Sequence, residues 1–136
     1  MDSGAIMQPN GNIREEDKVL TEIDPGFLEL HRLADNDKDF ILEMLSKFVR
    51  TTTEGLLIIK ESLAQKDLEQ IASTCHKLSS PTRHLGALKL LSKLKQIENA
   101  AEQKLKEEQL SNLLTEASIE FDKVKEHVIA HINLLA

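Results

Sequence analysis

Between Ile41 and Leu63 the residues Ile41, Leu45, Phe48, Thr52, Leu56, Ile59 and Leu63 recur at steps of three and four. That spacing matches the 3.6-residue helical turn and gathers them on a single stripe of one long helix. A stripe of this length is covered only by others of its kind, and the chain supplies them. Leu68, Ile71, Cys75 and Leu78 form a second stripe. Ala87, Leu90, Leu94, Ile97 and Ala101 form a third, at the spacing of a bundle seam. Leu110, Leu114, Ala117, Phe121, Val124, Val128 and Leu135 form a fourth. The expected fold is all-α: an antiparallel four-helix bundle with a short additional N-terminal helix.

Local signals set the expected boundaries. Asp24-Pro25 reads as an N-cap followed by proline at the first helical position, starting a short helix with Phe27, Leu28, Leu30 and Leu33. Asn36 is expected to end it and to cap the next helix. Gly55 reads as a tolerated blemish inside that helix. Asp67 and Gln70 resemble a capping box. Pro81 lacks an amide donor and disfavours helical geometry at Ser80, so the third helix is expected to stop close to it. The next begins after Gly86, and a turn is expected near residues 103–108. Residues 1–22 mix Gly4, Pro9, Asn10, Gly11 and Asn12 with charges and read as a flexible leader or linker, leaving residues 23–136 as the bundle domain.

Composition narrows the function. With 136 residues one domain is expected. Aromatics are only 3% of the chain, so Leu, Ile, Val and Ala must fill the core, which favours helices over sheet. A formal net charge of −6 argues against a broad basic footprint for nucleic acid or an anionic membrane. The single cysteine, Cys75, has no internal partner for a disulfide, and no apolar run near 18 residues is present to span a bilayer. A cytoplasmic monomer is the expectation.

The chemistry concentrates in residues 74–87, Thr-Cys-His-Lys-Leu-Ser-Ser-Pro-Thr-Arg-His-Leu-Gly-Ala. His76 lies one step from core Cys75 and so faces outward beside the buried stripe. Ala72, Ser73, Ser79 and Ser80, at minus four, minus three, plus three and plus four, are all small. An imidazole standing clear in that way lets a partner's cleft close over it. Free imidazole titrates near 6.5, so its neutral form is a competent nucleophile at neutral pH. The plainer reading is a surface histidine that happens to have small neighbours.

These residues resemble the histidine-containing phosphotransfer (HPt) domains of multistep phosphorelays. The family pattern runs roughly Ala-His-x-Leu-Lys-Gly-Ser, a short variable stretch, then Gly-Ala or Gly-Leu, and His76, Leu78, Gly86 and Ala87 fall at matching intervals. The segment from Phe40 to Phe48 looks like the start of the family's second helix and the segment from Leu94 to Glu98 like its fourth, so the resemblance covers residues 24–136. It implies that His76 accepts a phosphoryl group from a receiver-domain aspartate and passes it to another receiver, as a stoichiometric carrier without kinase activity of its own. The receiver would supply the acidic pocket and Mg²⁺, and the chain itself no cofactor and no metal site. The chain would be either free-standing or part of a hybrid histidine kinase.

Two residues depart from the family pattern. The family's Lys and Gly at three and four positions after the histidine are Ser79 and Ser80 here. Ser79 remains a hydrogen-bond donor, and Lys77 or Arg83 is then expected to supply the charge. By the same resemblance Glu98 lies beside the histidine, where its carboxylate accepts the Nδ1 proton and leaves Nε2 free. The alternative is an exposed glutamate paired with Lys95. A receiver is expected to dock over the short helix and the adjoining sides of the next two, touching Leu28, Leu42, Met44, Ala72, Lys77 and Ser80.

The other histidines carry less. His127 and His131 are four apart, a spacing that can ligate zinc, but no third ligand is evident. His84 reads as a loop residue after Pro81, and His31 as a surface or rim residue. A helical adaptor that binds receivers without transferring phosphate is the competing function, motivated by the missing Lys and Gly.

Overall fold

The computed structural model describes the backbone of residues 26–135 and the side chains of residues 30–135. The expected leader, residues 1–22, lies outside the described residues, as do the side chains of Phe27 and Leu28. Among the described residues there are five helices and no strand: α1 (Gly26–Leu33), α2 (Lys38–Ala64), α3 (Leu68–Leu85), α4 (Leu88–Glu102) and α5 (Glu107–Leu135). Helices α2 to α5 form the bundle, each packed against its neighbours, and α1 lies against α3.

The four stripes meet as their spacing requires. Ile41, Leu45, Ile59, Ile71, Leu90, Leu94, Ile97 and Leu110 are almost completely buried, and Phe48 meets Phe121 edge to face with ring centroids 6.1 Å apart. Val124 and Leu135 are partly buried at the margin. Leu33 departs from expectation: it is 67% exposed, and Leu30 alone of the described α1 leucines packs on the core.

The caps follow side-chain chemistry, with one shift. Asp37, not Asn36, caps α2, its carboxylate accepting from the Phe40 amide at 3.2 Å. Asn36 instead takes a left-handed conformation (φ 57°) that closes α1, and its amide donates to the His31 carbonyl. Asp67 caps α3 as expected, accepting from the Gln70 amide at 3.0 Å.

Pro81 does not end α3. The helix runs four residues past it, and Pro81 deletes only the amide bond to the Lys77 carbonyl. Burial of Leu78, Thr82 and Leu85 on either side holds the helix through that gap. The stop comes at Gly86, which adopts φ 78°. The Gly86 amide bonds to the Arg83 carbonyl and the Ala87 amide to that of Thr82, closing the last turn. His84 is therefore on the last turn of α3 and not in a loop.

Two further expectations are overturned by packing. Gly55 is buried against α3, and a Cβ there would fall 2.6 Å from Leu78 Cδ1. It is a close-approach residue, not a blemish. His131 belongs to the core stripe of α5 at 2% exposure, and its Nε2 lies 2.6 Å from Nε2 of His31. His31 is thus no free rim residue; it ties α1 to α5.

Candidate functional site

His76 stands near the middle of α3, nine residues before its end at Leu85. Glu98 stands ten residues after the start of α4 at Leu88. The tight turn through Gly86 folds α4 back along α3, and these nearly equal distances from the turn bring the two side chains level. His76 Nδ1 lies 3.3 Å from Glu98 Oε2. The histidine side chain is 79% exposed and the glutamate 18%.

That asymmetry has chemical content. The carboxylate, only 18% exposed beside α3, can accept a hydrogen bond from the nitrogen facing it, which favours the tautomer with hydrogen on Nδ1 and the lone pair on Nε2. The alternative pairing of Glu98 with Lys95 does not form.

The small neighbours divide. Ser73 and Ser80 are exposed and Ala72 half-buried, so the imidazole is clear on those sides. Ser79 is buried, and its hydroxyl donates to the Cys75 carbonyl at 2.9 Å. The expectation that Ser79 offers a hydrogen bond at the site is corrected: in a helix a serine hydroxyl readily bonds back to the carbonyl four residues earlier. Lys77 and Arg83 are both exposed. Gly86 serves the site only by making the turn. Cys75, directly behind His76, has its thiol pushed up to about 12, first by burial and then by the Glu98 charge, so it is inert as a nucleophile.

A groove of about 290 Å³ opens one turn further along α3, beside Ser80. Leu30 of α1, Met44, Lys47, Phe48 and Thr51 of α2, and Ser80, Pro81, His84 and Leu85 of α3 line it. Of the expected docking residues it contains Met44 and Ser80. Leu42 is half-buried and, two residues from Met44, lies about 200° around α2, so it does not share that surface. Ala72 sits on the other side of His76. The Leu28 side chain is outside the described residues. Lys47, Thr51 and His84 were not anticipated, because only the packing of α2 on α3 brings them together.

No group of three or more His, Cys, Asp or Glu among the described residues is arranged to hold a metal ion, and His131 is engaged with His31. No helix among the described residues is long and apolar enough to cross a membrane.

A family model described as the Hpt domain matches residues 43–128. No curated protein and no solved structure matches the chain. The matched stretch runs from the first turns of α2 into α5 and includes His76, Glu98 and the turn at Gly86. Hpt domains act in phosphotransfer in two-component signalling and interact there with receiver domains. With most of the chain matched, the helical bundle formed and an exposed histidine backed by a carboxylate, the chain belongs to the Hpt domain family.

Proposed function

We propose that the chain is a phosphorelay intermediate in which His76 Nε2 takes a phosphoryl group from a receiver-domain aspartate and gives it to the aspartate of another receiver. The observation that carries this reading is the pairing of an exposed imidazole with a sheltered carboxylate, 3.3 Å apart at Nδ1. In the forward step the Nε2 lone pair attacks phosphorus, the P–N bond forms, and the P–O bond to the aspartyl carboxylate breaks with its electron pair leaving on oxygen. The ring gains positive charge, which Glu98 offsets while Nδ1 keeps its hydrogen. The reverse step runs through the same geometry, so the chain carries the group stoichiometrically and has no kinase role of its own.

The receiver contributes the acidic pocket and Mg²⁺, so this chain requires no cofactor. Both receivers, and the chain's place as a monomeric cytoplasmic protein or as part of a hybrid histidine kinase, belong to the same proposal. The competing reading, a non-transferring adaptor, draws on Ser79, whose inward hydroxyl leaves no donor where the family carries a lysine.

Incubation with a panel of phosphorylated receiver domains separates the two. Acid-labile, base-stable phosphate is expected on the native chain and none on His76→Gln, with helicity and receiver affinity nearly unchanged because the side chain is outside the core. His84→Gln should keep most of the label. Persistent label on His76→Gln would overturn the site, and an unlabelled native chain with every receiver would establish the adaptor.

A further inference from the structure

A phosphoryl group on His76 brings close to two negative charges, and Glu98 already holds a carboxylate 3.3 Å from the same ring. With the ring carrying at most one positive charge between them, these anions leave a net negative site that a nearby cation would stabilise. Ser79 supplies none, its hydroxyl being turned to the Cys75 carbonyl. Three cationic side chains flank the site, and helix geometry separates them. Lys77 follows His76 directly, about 100° around α3, on the flank that Pro81 turns toward α2 and so away from α4. Arg83 shares the face of His76 but lies about 10 Å further along the axis.

Lys95 is placed differently. On α4 the surface passes from buried Leu94 through half-buried Glu98 to exposed Lys95, so Lys95 occupies the outer flank on the α3 side. It is three residues nearer the Gly86 turn than Glu98. Since α4 runs back along α3, that puts it level with Ser79 and Ser80, about 4.5 Å along the axis from His76. Ser79, on the flank of His76 that faces α4 at that level, is small and has its hydroxyl turned inward to the Cys75 carbonyl. Lys93, two residues earlier, is held by Glu116 at 2.7 Å, whereas Lys95 makes no ion pair among the described residues.

We propose that Lys95 of α4 binds the phosphoryl group on His76, supplying from the neighbouring helix the charge that Ser79 does not. The proposal rests on His76 being the phosphoryl acceptor.

Phosphoramidate, a small donor that phosphorylates accessible imidazoles without a partner, tests it on the full chain. Lys95→Met should shorten the lifetime of the phosphohistidine about fivefold and raise the pH at which the phosphoryl group ionises in ³¹P NMR, because the cation favours the dianion. Lys95→Arg should restore both, and Lys77→Met should change the lifetime by less than about twofold. Unchanged lifetime and ionisation in Lys95→Met, or the full effect in Lys77→Met, would overturn the proposal, as would a native chain that phosphoramidate leaves unlabelled at His76. A Lys95-dependent label that no receiver donates or accepts would instead sink the relay reading and leave the role of Lys95 standing.

Discussion

An imidazole buried at His131, in line with Val128 and Leu135 on α5, gives the fold a dependence on pH. Burial first, and then the neighbouring His31, lower its pKa to about 4 from 6.5. The unfolded chain therefore binds a proton that the folded chain refuses between those two values. Stability from this group is fully present above pH 6.5 and declines as pH falls toward 4, by on the order of 2 kcal/mol. Denaturant midpoints measured across that window should show the decline, and His131→Leu should flatten it; an identical slope in the variant would remove His131 as its source. The 2.6 Å contact with His31 requires one nitrogen to donate and the other to accept, which a doubly protonated pair cannot do. None of this was legible in the sequence. The spacing of His127 and His131 suggested a metal site, while the partner that decides the outcome is a hundred positions away on α1. His76 was legible, because its one-step offset from Cys75 and its small neighbours are local features. The inward turn of Ser79 was not, because its hydroxyl had two acceptors to choose between and only burial decides.

Helices were legible where periodicity is long and opaque where two elements press together. All four stripes appear in place, and Gly55 shows what a stripe cannot reveal. Read along α2 alone it is a weak helix former; against α3 it is the point where a Cβ would meet Leu78 at 2.6 Å. Gly55→Val should therefore destabilise the bundle by about 1–3 kcal/mol, lowering the denaturant midpoint, although valine is the better helix former of the two. A variant as stable as the native chain would mean that Leu78 repacks freely. Pro81 makes the same point from the other side. Its local preference is to end α3, but one lost amide bond does not outweigh the burial of Thr82 and Leu85 beyond it, and the glycine at 86 sets the end instead. That outcome matters for function, since four additional residues of α3 carry His84 and Leu85 into the groove and fix the turn that brings Glu98 level with His76.

At the scale of the molecule, the position of α3 between α2 and α4 leaves His76 with two flanks for a receiver to cover. Toward α2 lies the groove with Met44, Lys47 and Ser80; toward α4 lie Ala72, Glu98 and Lys95. A receiver that delivers an aspartyl phosphate to Nε2 must close over the ring from outside, so it covers residues on both flanks. The chain as a whole is acidic at −6, whereas Lys47, Lys77, Arg83 and Lys95 surround this face, an arrangement that suits an acidic pocket. Ala72 is the sharpest probe. It lies one turn before His76 and is only half-buried, so Ala72→Glu adds bulk and negative charge at the contact while a helix former replaces a helix former. Receiver affinity should fall at least about tenfold, since a like charge at a docked surface opposes binding by about 1.4 kcal/mol or more, with thermal stability little changed. Ile119→Glu, an exposed position on α5 away from α3, should leave affinity as it was. Calorimetric titration of a receiver against the three chains checks this: equal affinity for native and Ala72→Glu would move the docking face off the α4 flank, and a loss shared with Ile119→Glu would point to net charge, not to a contact beside His76.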